Sequence, residues 1–149
     1  MRIAFGSDHA GYSLKESLLS QFEDLEVEDF GTYSEASCDY PDVAHKVSSA
    51  VVAGECDLGV LVCGTGVGMA IAANKIRGAR AVACSDTYTA RLSRDHNNAN
   101  ILCLGARVVG PGLAAEVLRA WLGTPFSDDS RHVRRLAKIA DLEASEEGL

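Results

Sequence analysis

The chain has 149 residues, 47% of them hydrophobic and only 6% aromatic, and a formal net charge of −7. That length suits one domain with a sizeable core made mainly of Ala, Val, Leu and Ile. The acidic balance argues against a general binder of nucleic acid or of a membrane surface, so an anionic ligand would need a local cluster of positive groups.

Strand-like and helix-like patterns alternate along the chain. Residues 2–5 read as a strand and 13–25 as an amphipathic helix with Leu14, Leu18, Leu19 and Phe22 on its apolar face. A short strand over 27–30 leads into a polar loop through Tyr40 and Pro41. Helical spacing then runs over 42–53 (Val43, Val47, Ala50, Val51) and stops at Gly54. A third strand is expected over 58–62 and a helix over 69–75. A fourth strand (81–84) is followed by a helix over 87–96, and a fifth (101–104) by a helix over 113–122. After Pro125 the chain turns polar, and a last surface helix is expected over about 128–147. Its apolar positions, Val133, Leu136, Ile139, Ala140 and Leu142, suit packing on another subunit.

The strands are continuously apolar and do not alternate, so both sheet faces should be covered. Five βα repeats predict an α/β fold: a three-layer α/β/α sandwich around a five-stranded, mostly parallel, doubly wound (Rossmann-like) sheet, with the C-terminal helix outside it. All of 1–149 is expected to form a single domain. Five cysteines (38, 56, 63, 84, 103), odd in number and without a C-x-x-C pair, suggest a reduced, cytoplasmic protein rather than a disulfide framework or a zinc module. No stretch has the length of a transmembrane helix, and the N-terminus does not read as a signal peptide.

In doubly wound folds ligands sit beyond the carboxyl ends of the strands. The third strand ends in Cys63, followed by glycines at 64, 66 and 68 and then by a helix-compatible run. Such a turn turns backbone N–H groups toward an anion and favours negative charge on a nearby thiol. The competing reading is a buried structural Cys beside a tight turn, and the junction alone leaves both open.

Other polar groups fall at corresponding strand ends: Asp8 and His9 after the first, Thr65 after the third, Ser85 and Asp86 after the fourth, Arg107 after the fifth. Each has a plainer alternative. Asp8 could cap the first helix, Asp86 is assigned as the cap of its own, and His96 with Asn97 could close a helix C-terminus. Arg131 and Arg135, spaced i, i+4, share a helix face. They suit either a solvated basic stripe or capture of a phosphate. Tyr40–Pro41 could be a simple loop stop. Sharper motifs fail. A phosphatase loop needs Arg where Met69 stands, a nucleotide P-loop needs Lys-Ser or Lys-Thr there, and the third glycine comes one residue early for a dinucleotide fingerprint. No cluster has metal-ligand spacing.

Gly6-Ser-Asp-His-Ala-Gly11, Cys63-Gly-Thr-Gly-Val-Gly68, Ala72-Ala-Asn-Lys75, His96-Asn97, Gly105-Ala-Arg-Val-Val-Gly110 and Ala120-Trp-Leu-Gly123 together resemble the ribose-5-phosphate isomerase type B family, which also holds allose- and galactose-6-phosphate isomerases. The resemblance covers nearly the whole chain. It implies an aldose–ketose isomerase that works through a cis-enediolate without metal or other cofactor. By this resemblance Cys63 is the base, and Thr65 with the backbone of Gly64, Gly66, Val67 and Gly68 forms the anion hole. Asp8 moves protons at the sugar oxygens, His96 opens the furanose and Asn97 binds substrate beside it. Tyr40 lines the sugar site, and His9, Arg107, Arg131 and Arg135 hold the phosphate. One branch of the family replaces the thiol with a glutamate at the position of Met69, so this chain resembles the thiol branch. The resemblance also implies a homodimer with a shared site, or a tetramer of such dimers. D-Ribose 5-phosphate is the expected substrate. Another phosphosugar, or a non-catalytic sugar-phosphate-binding subunit, is the alternative.

Overall fold

A computed structural model describes residues 1–145. In chain order the elements are β1 (Arg2–Ser7), α1 (Tyr12–Gln21), β2 (Glu26–Asp29), α2 (Tyr40–Val52), β3 (Leu58–Cys63), α3 (Val67–Ala73), β4 (Ala81–Ala83), α4 (Thr87–Asp95), β5 (Ile101–Gly105), α5 (Pro111–Leu122) and α6 (Ser130–Ser145). The expected end of the last helix, 146–147, lies outside the described residues.

The strands form one sheet in the order β2-β1-β3-β5-β4, and every pairing is parallel. Parallel neighbours need crossovers, and crossovers are right-handed, so the order decides which face each helix covers. The chain steps outward from β1 to β2 and then back across β1 to β3, which puts α1 and α2 on opposite faces. The step to β4 continues in that direction and keeps α3 beside α2. The return to β5 puts α4 on the face of α1. Packing follows suit: α2 lies on α3, α4 on α5 and α1 on α5.

Two cores result. Phe5, Leu18, Val60, Leu102, Leu118 and Trp121 fill the α1/α4/α5 side, and Ala4, Val47, Leu61, Met69, Ile101 and Cys103 the α2/α3 side. Alternate residues of β3 (Val60 and Val62 against Leu61 and Cys63) go to opposite cores, which is why the strand reads as an unbroken apolar run. Each fully buried Leu or Phe contributes about 1.5–3 kcal/mol.

Some boundaries differ from the sequence expectation for local reasons. Helix α1 stops at Gln21, not Leu25. Phe22 leaves helical geometry (φ −123°, ψ 44°) and its carbonyl accepts the Leu25 N–H, turning the chain into β2. Tyr40–Pro41 is not a loop stop but the first turn of α2, preceded by an extended Asp39. Proline there lacks only an N–H that a first turn leaves unpaired anyway. Helix α6 is largely exposed: Val133, Ile139 and Leu142 face outward, and His132 is its buried residue.

Lys15 is fully buried on α1. Its ammonium donates to both Asp29 carboxylate oxygens (2.8 and 2.6 Å) and lies near the rings of Tyr12 and Tyr33. Asp29 in turn accepts the Gly31 N–H, and its carbonyl accepts the Tyr33 hydroxyl. The pair therefore pins the start of the β2–α2 loop. Lys15→Ala should strand the carboxylate and cost about 3 kcal/mol, lowering Tm by roughly 10 °C. A thermal melt within 2 or 3 degrees of wild type, by the same scale of roughly that size, would show the pair to be dispensable.

Candidate active site

Three loops meet at the carboxyl end of β3. The Val62 carbonyl accepts the Asp8 N–H (3.1 Å), the Cys63 carbonyl the Ala106 N–H (2.8 Å), and the Gly64 carbonyl the Arg107 N–H (2.9 Å). Approach is so close that a Cβ on Gly11 would stand 2.3 Å from the Val62 oxygen, and one on Gly105 2.6 Å from the Thr65 backbone. The helices that follow β1 and β5 cover one face of the sheet and the helix that follows β3 covers the other, the arrangement at which ligands sit in doubly wound sheets.

Cys63 is buried and its Sγ accepts the Gly66 N–H at 3.1 Å. Gly66 holds a left-handed conformation (φ 79°) and caps α3, while Thr65 is exposed and its Oγ1 accepts the Val67 N–H (3.3 Å). Two of the expected anion-hole amides, those of Gly66 and Val67, thus already have acceptors within the loop. The Arg107 guanidinium lies against Gly64, and the Tyr40 ring lies against Gly68, each within 3 Å of where a Cβ would be. Glycine at both positions is what lets a cation and a phenol cover the loop.

Asp8 is buried, and its Oδ1 accepts the Gly11 N–H (2.9 Å), so it shapes the turn before α1 without capping that helix, whose N-cap is Gly11. The His9 Nδ1 accepts the Cys38 N–H (3.2 Å), which makes Nε2 the protonated nitrogen of the neutral ring and aims it away as a donor. Asp86 caps α4 by accepting the Thr89 N–H, and this bond holds its carboxyl below the usual range. Burial pushes the Cys84 thiol up to about 11 and that of Cys103 well above its ordinary value.

The remaining predicted residues stand elsewhere. His96 caps the C-terminus of α4, whose nine residues separate it from the β4 carboxyl end by about 13 Å. Asn97 follows it. Arg131 and Arg135 lie on α6, which starts beside the end of α4 because the Ser127 N–H and Oγ–H donate to the Asp95 carbonyl. Within one chain, Asp8, His9, Tyr40, Cys63, Thr65 and Arg107 therefore gather at one end of the sheet. His96, Asn97, Arg131 and Arg135 gather at the other.

One member of the second group was missed by the sequence reading. His132 is 5% exposed and stacks on His96, with centroids 4.2 Å apart and planes 15° from parallel. Burial, His96 and the neighbouring arginines hold its proton affinity below the ordinary histidine range. No signal marked it, because the apolar period of α6 runs through its neighbours. A cavity of about 360 Å³ lies near this group, lined by Asn74, Arg80, Asn97, Ile139 and Glu143, but it holds none of the groups around Cys63. Among the described residues no set of three or more His, Cys, Asp or Glu side chains could hold a metal ion, and no helix is long and apolar enough to cross a membrane.

Comparisons with known proteins agree on one family. The profile described as Ribose/Galactose Isomerase matches residues 3–139. Ribose-5-phosphate isomerase B of Escherichia coli is 48% identical over 95% of this chain and 96% of its own length. A D-erythrulose-4-phosphate isomerase of Pectobacterium atrosepticum is 44% identical over 85% of each chain. The structure of Clostridium thermocellum ribose-5-phosphate isomerase B superposes with a TM-score of 0.96 at 49% identity, covering 98% of this chain and 99% of that one.

The glycine loop supplies a test of its own. Gly66→Ala should cost about 1–2 kcal/mol, since its Cβ would meet the Leu104 and Cys103 backbone at 3.1–3.3 Å in a left-handed conformation. Gly112→Ala, with nothing within 4 Å of its Cβ, should be neutral or stabilising in the same thermal melts. Equal melts for both variants would mean that the turn does not need its left-handed residue.

Proposed function

This chain belongs to the ribose/galactose isomerase family, and on that premise we propose that it interconverts D-ribose 5-phosphate and D-ribulose 5-phosphate with Cys63 as the base. It is an aldose–ketose isomerase of sugar phosphates. The observation that carries the finer reading is the thiol of Cys63 at the end of the central strand, accepting an N–H from the glycine loop.

Isomerisation moves one proton between C2 and C1 and one between O1 and O2. Cys63 takes the proton from C2 of the open-chain aldose and returns it to C1. The cis-enediolate that forms in between carries negative charge on oxygen, and Thr65 and the remaining loop amides answer that charge. Asp8, its second carboxylate oxygen beyond the Gly11 bond, carries the proton between O1 and O2. Arg107 and the Nε2–H of His9 meet the phosphate. Tyr40 bounds the sugar.

Ring opening requires His96, with Asn97 beside it, and the phosphate requires Arg131 and Arg135, yet all four lie at the far end of the sheet. Two complementary half-sites at opposite ends are what a two-fold dimer completes, each subunit lending its second group to the other's Cys63. The exposed Val133, Ile139 and Leu142 of α6, with Val67, Ile71, Tyr88 and Val108, offer apolar surface for that contact. The enzyme works in the cytoplasm as a single isomerase domain per chain, without a cofactor. The likeness to an erythrulose-4-phosphate isomerase favours a tetrose phosphate as second substrate.

Cys63→Ala should abolish exchange of the substrate C2 proton with solvent while leaving the fold intact. Exchange at wild-type rate, followed by NMR in D₂O, would remove Cys63 from the role of base. Mixing inactive Cys63→Ala and His96→Ala subunits should restore about a quarter of wild-type activity, because half the dimers are mixed and each has one intact site. No recovery after subunit exchange would place both groups in one chain's site.

A further inference from the structure

Resting on the reading that His96 opens the sugar ring, we propose that His132 is a positioning residue that fixes the His96 imidazole in the plane needed for that step. His96 sits at a helix end, and its side chain keeps 36% of its surface exposed. Such a histidine ordinarily samples several rotamers. Here its ring lies 4.2 Å from that of His132, nearly parallel. His132 is 5% exposed, its main-chain N–H donates to the Asp129 carbonyl, and the start of α6 is tied to the end of α4 through Ser127 and Asp95. The Asp95 carboxylate stands 3.5 Å from the His96 Nε2.

Ring opening breaks the bond between C1 and the ring oxygen O4. The proton on O1 leaves, its electron pair becomes part of the C1=O1 double bond, and O4 gains a proton. A group that gives a proton to O4 must direct its N–H along a lone pair, so the plane of the imidazole decides whether transfer can occur. Burial, His96, Arg131 and Arg135 all disfavour a proton on His132, with Asp129 opposing them. A neutral ring can stack on His96 in either of its protonation states without repelling it. A side chain of ordinary packing value would not need a planar face at this spot, and α6 buries no other residue there.

The test uses a difference between the two pentose phosphates. Ribose 5-phosphate closes to a furanose through O4. Ribulose 5-phosphate, its O5 esterified, has no five-membered ring open to it from C2 and stays open-chain. In the ketose direction the open-chain aldose can leave and close in solution, so only the aldose direction needs a ring opened on the enzyme. His132→Ala should lower kcat on ribose 5-phosphate about tenfold, the upper end of what one ring contact supplies, and leave kcat on ribulose 5-phosphate within about twofold. His132→Phe, which keeps a planar face, should retain most of the aldose activity. Should the Ala variant not fold, His132→Leu fills the volume without a planar face and is read in the same way.

An equal loss in both directions would overturn the positioning role, as would a Phe variant as impaired as the Ala or Leu variant. A wild-type protein that turns over neither pentose phosphate would overturn the pentose reading itself, and the inference with it. Wild-type activity in both directions with a symmetric loss in the variant overturns the inference alone.

Discussion

The central strand β3 ends in three consecutive carbonyls, those of Val62, Cys63 and Gly64, and each accepts an N–H from a different point on the neighbouring loops. In a parallel sheet these are the groups left over when the ladder stops, and buried carbonyls must be paired. Their donors, Asp8, Ala106 and Arg107, come from the loops after β1 and β5. Satisfying the end of one strand therefore brings an acid, a thiol and a guanidinium together. The contacts leave no room for side chains at Gly11 or Gly105, so the glycines are spent on closeness rather than on flexibility.

The same topology separates the groups that the proposed reaction joins. Because every strand points the same way, every helix runs back, and the residues that close a helix lie at the amino end of the sheet. His96 closes α4 and belongs to that end by construction. On the proposed reading, a second copy brings it to Cys63. With a formal net charge of −7, an anion has to be held by local cations such as Arg107, Arg131 and Arg135 rather than by the overall field.

Support for these groups comes from buried polar pairs in unequal environments. Lys15 and Asp29 are charged and opposed, so burial is tolerable, and they hold the loop that leads through Cys38 to His9 and on to Tyr40. His96 and His132 stack, and burial, followed by the like neighbour, lowers the inner ring's proton affinity, so it contributes a face. Both arrangements set the direction of a side chain that the neighbouring backbone alone would leave loose.

Much of this was legible in the sequence. Unbroken apolar runs such as Leu58–Cys63 declared a sheet covered on both faces, and the βα alternation declared parallel strands and a site at their carboxyl ends. Glycines at 64, 66 and 68 made Cys63 a candidate while leaving a buried structural thiol open. Pairings across the sheet were not legible. The strand order joins distant strands, and the stack of His132 on His96 and the placing of Tyr40 against Gly68 join residues 36 and 28 positions apart. No periodicity records such contacts, since period reports which face a residue takes and not what it meets there. Sequence alone determined the layers and which polar groups stand at each strand end. Only the tertiary structure decided that the chemistry falls into two groups at opposite ends of the sheet, because that division follows from the direction of the helices in space and from the packing of α6.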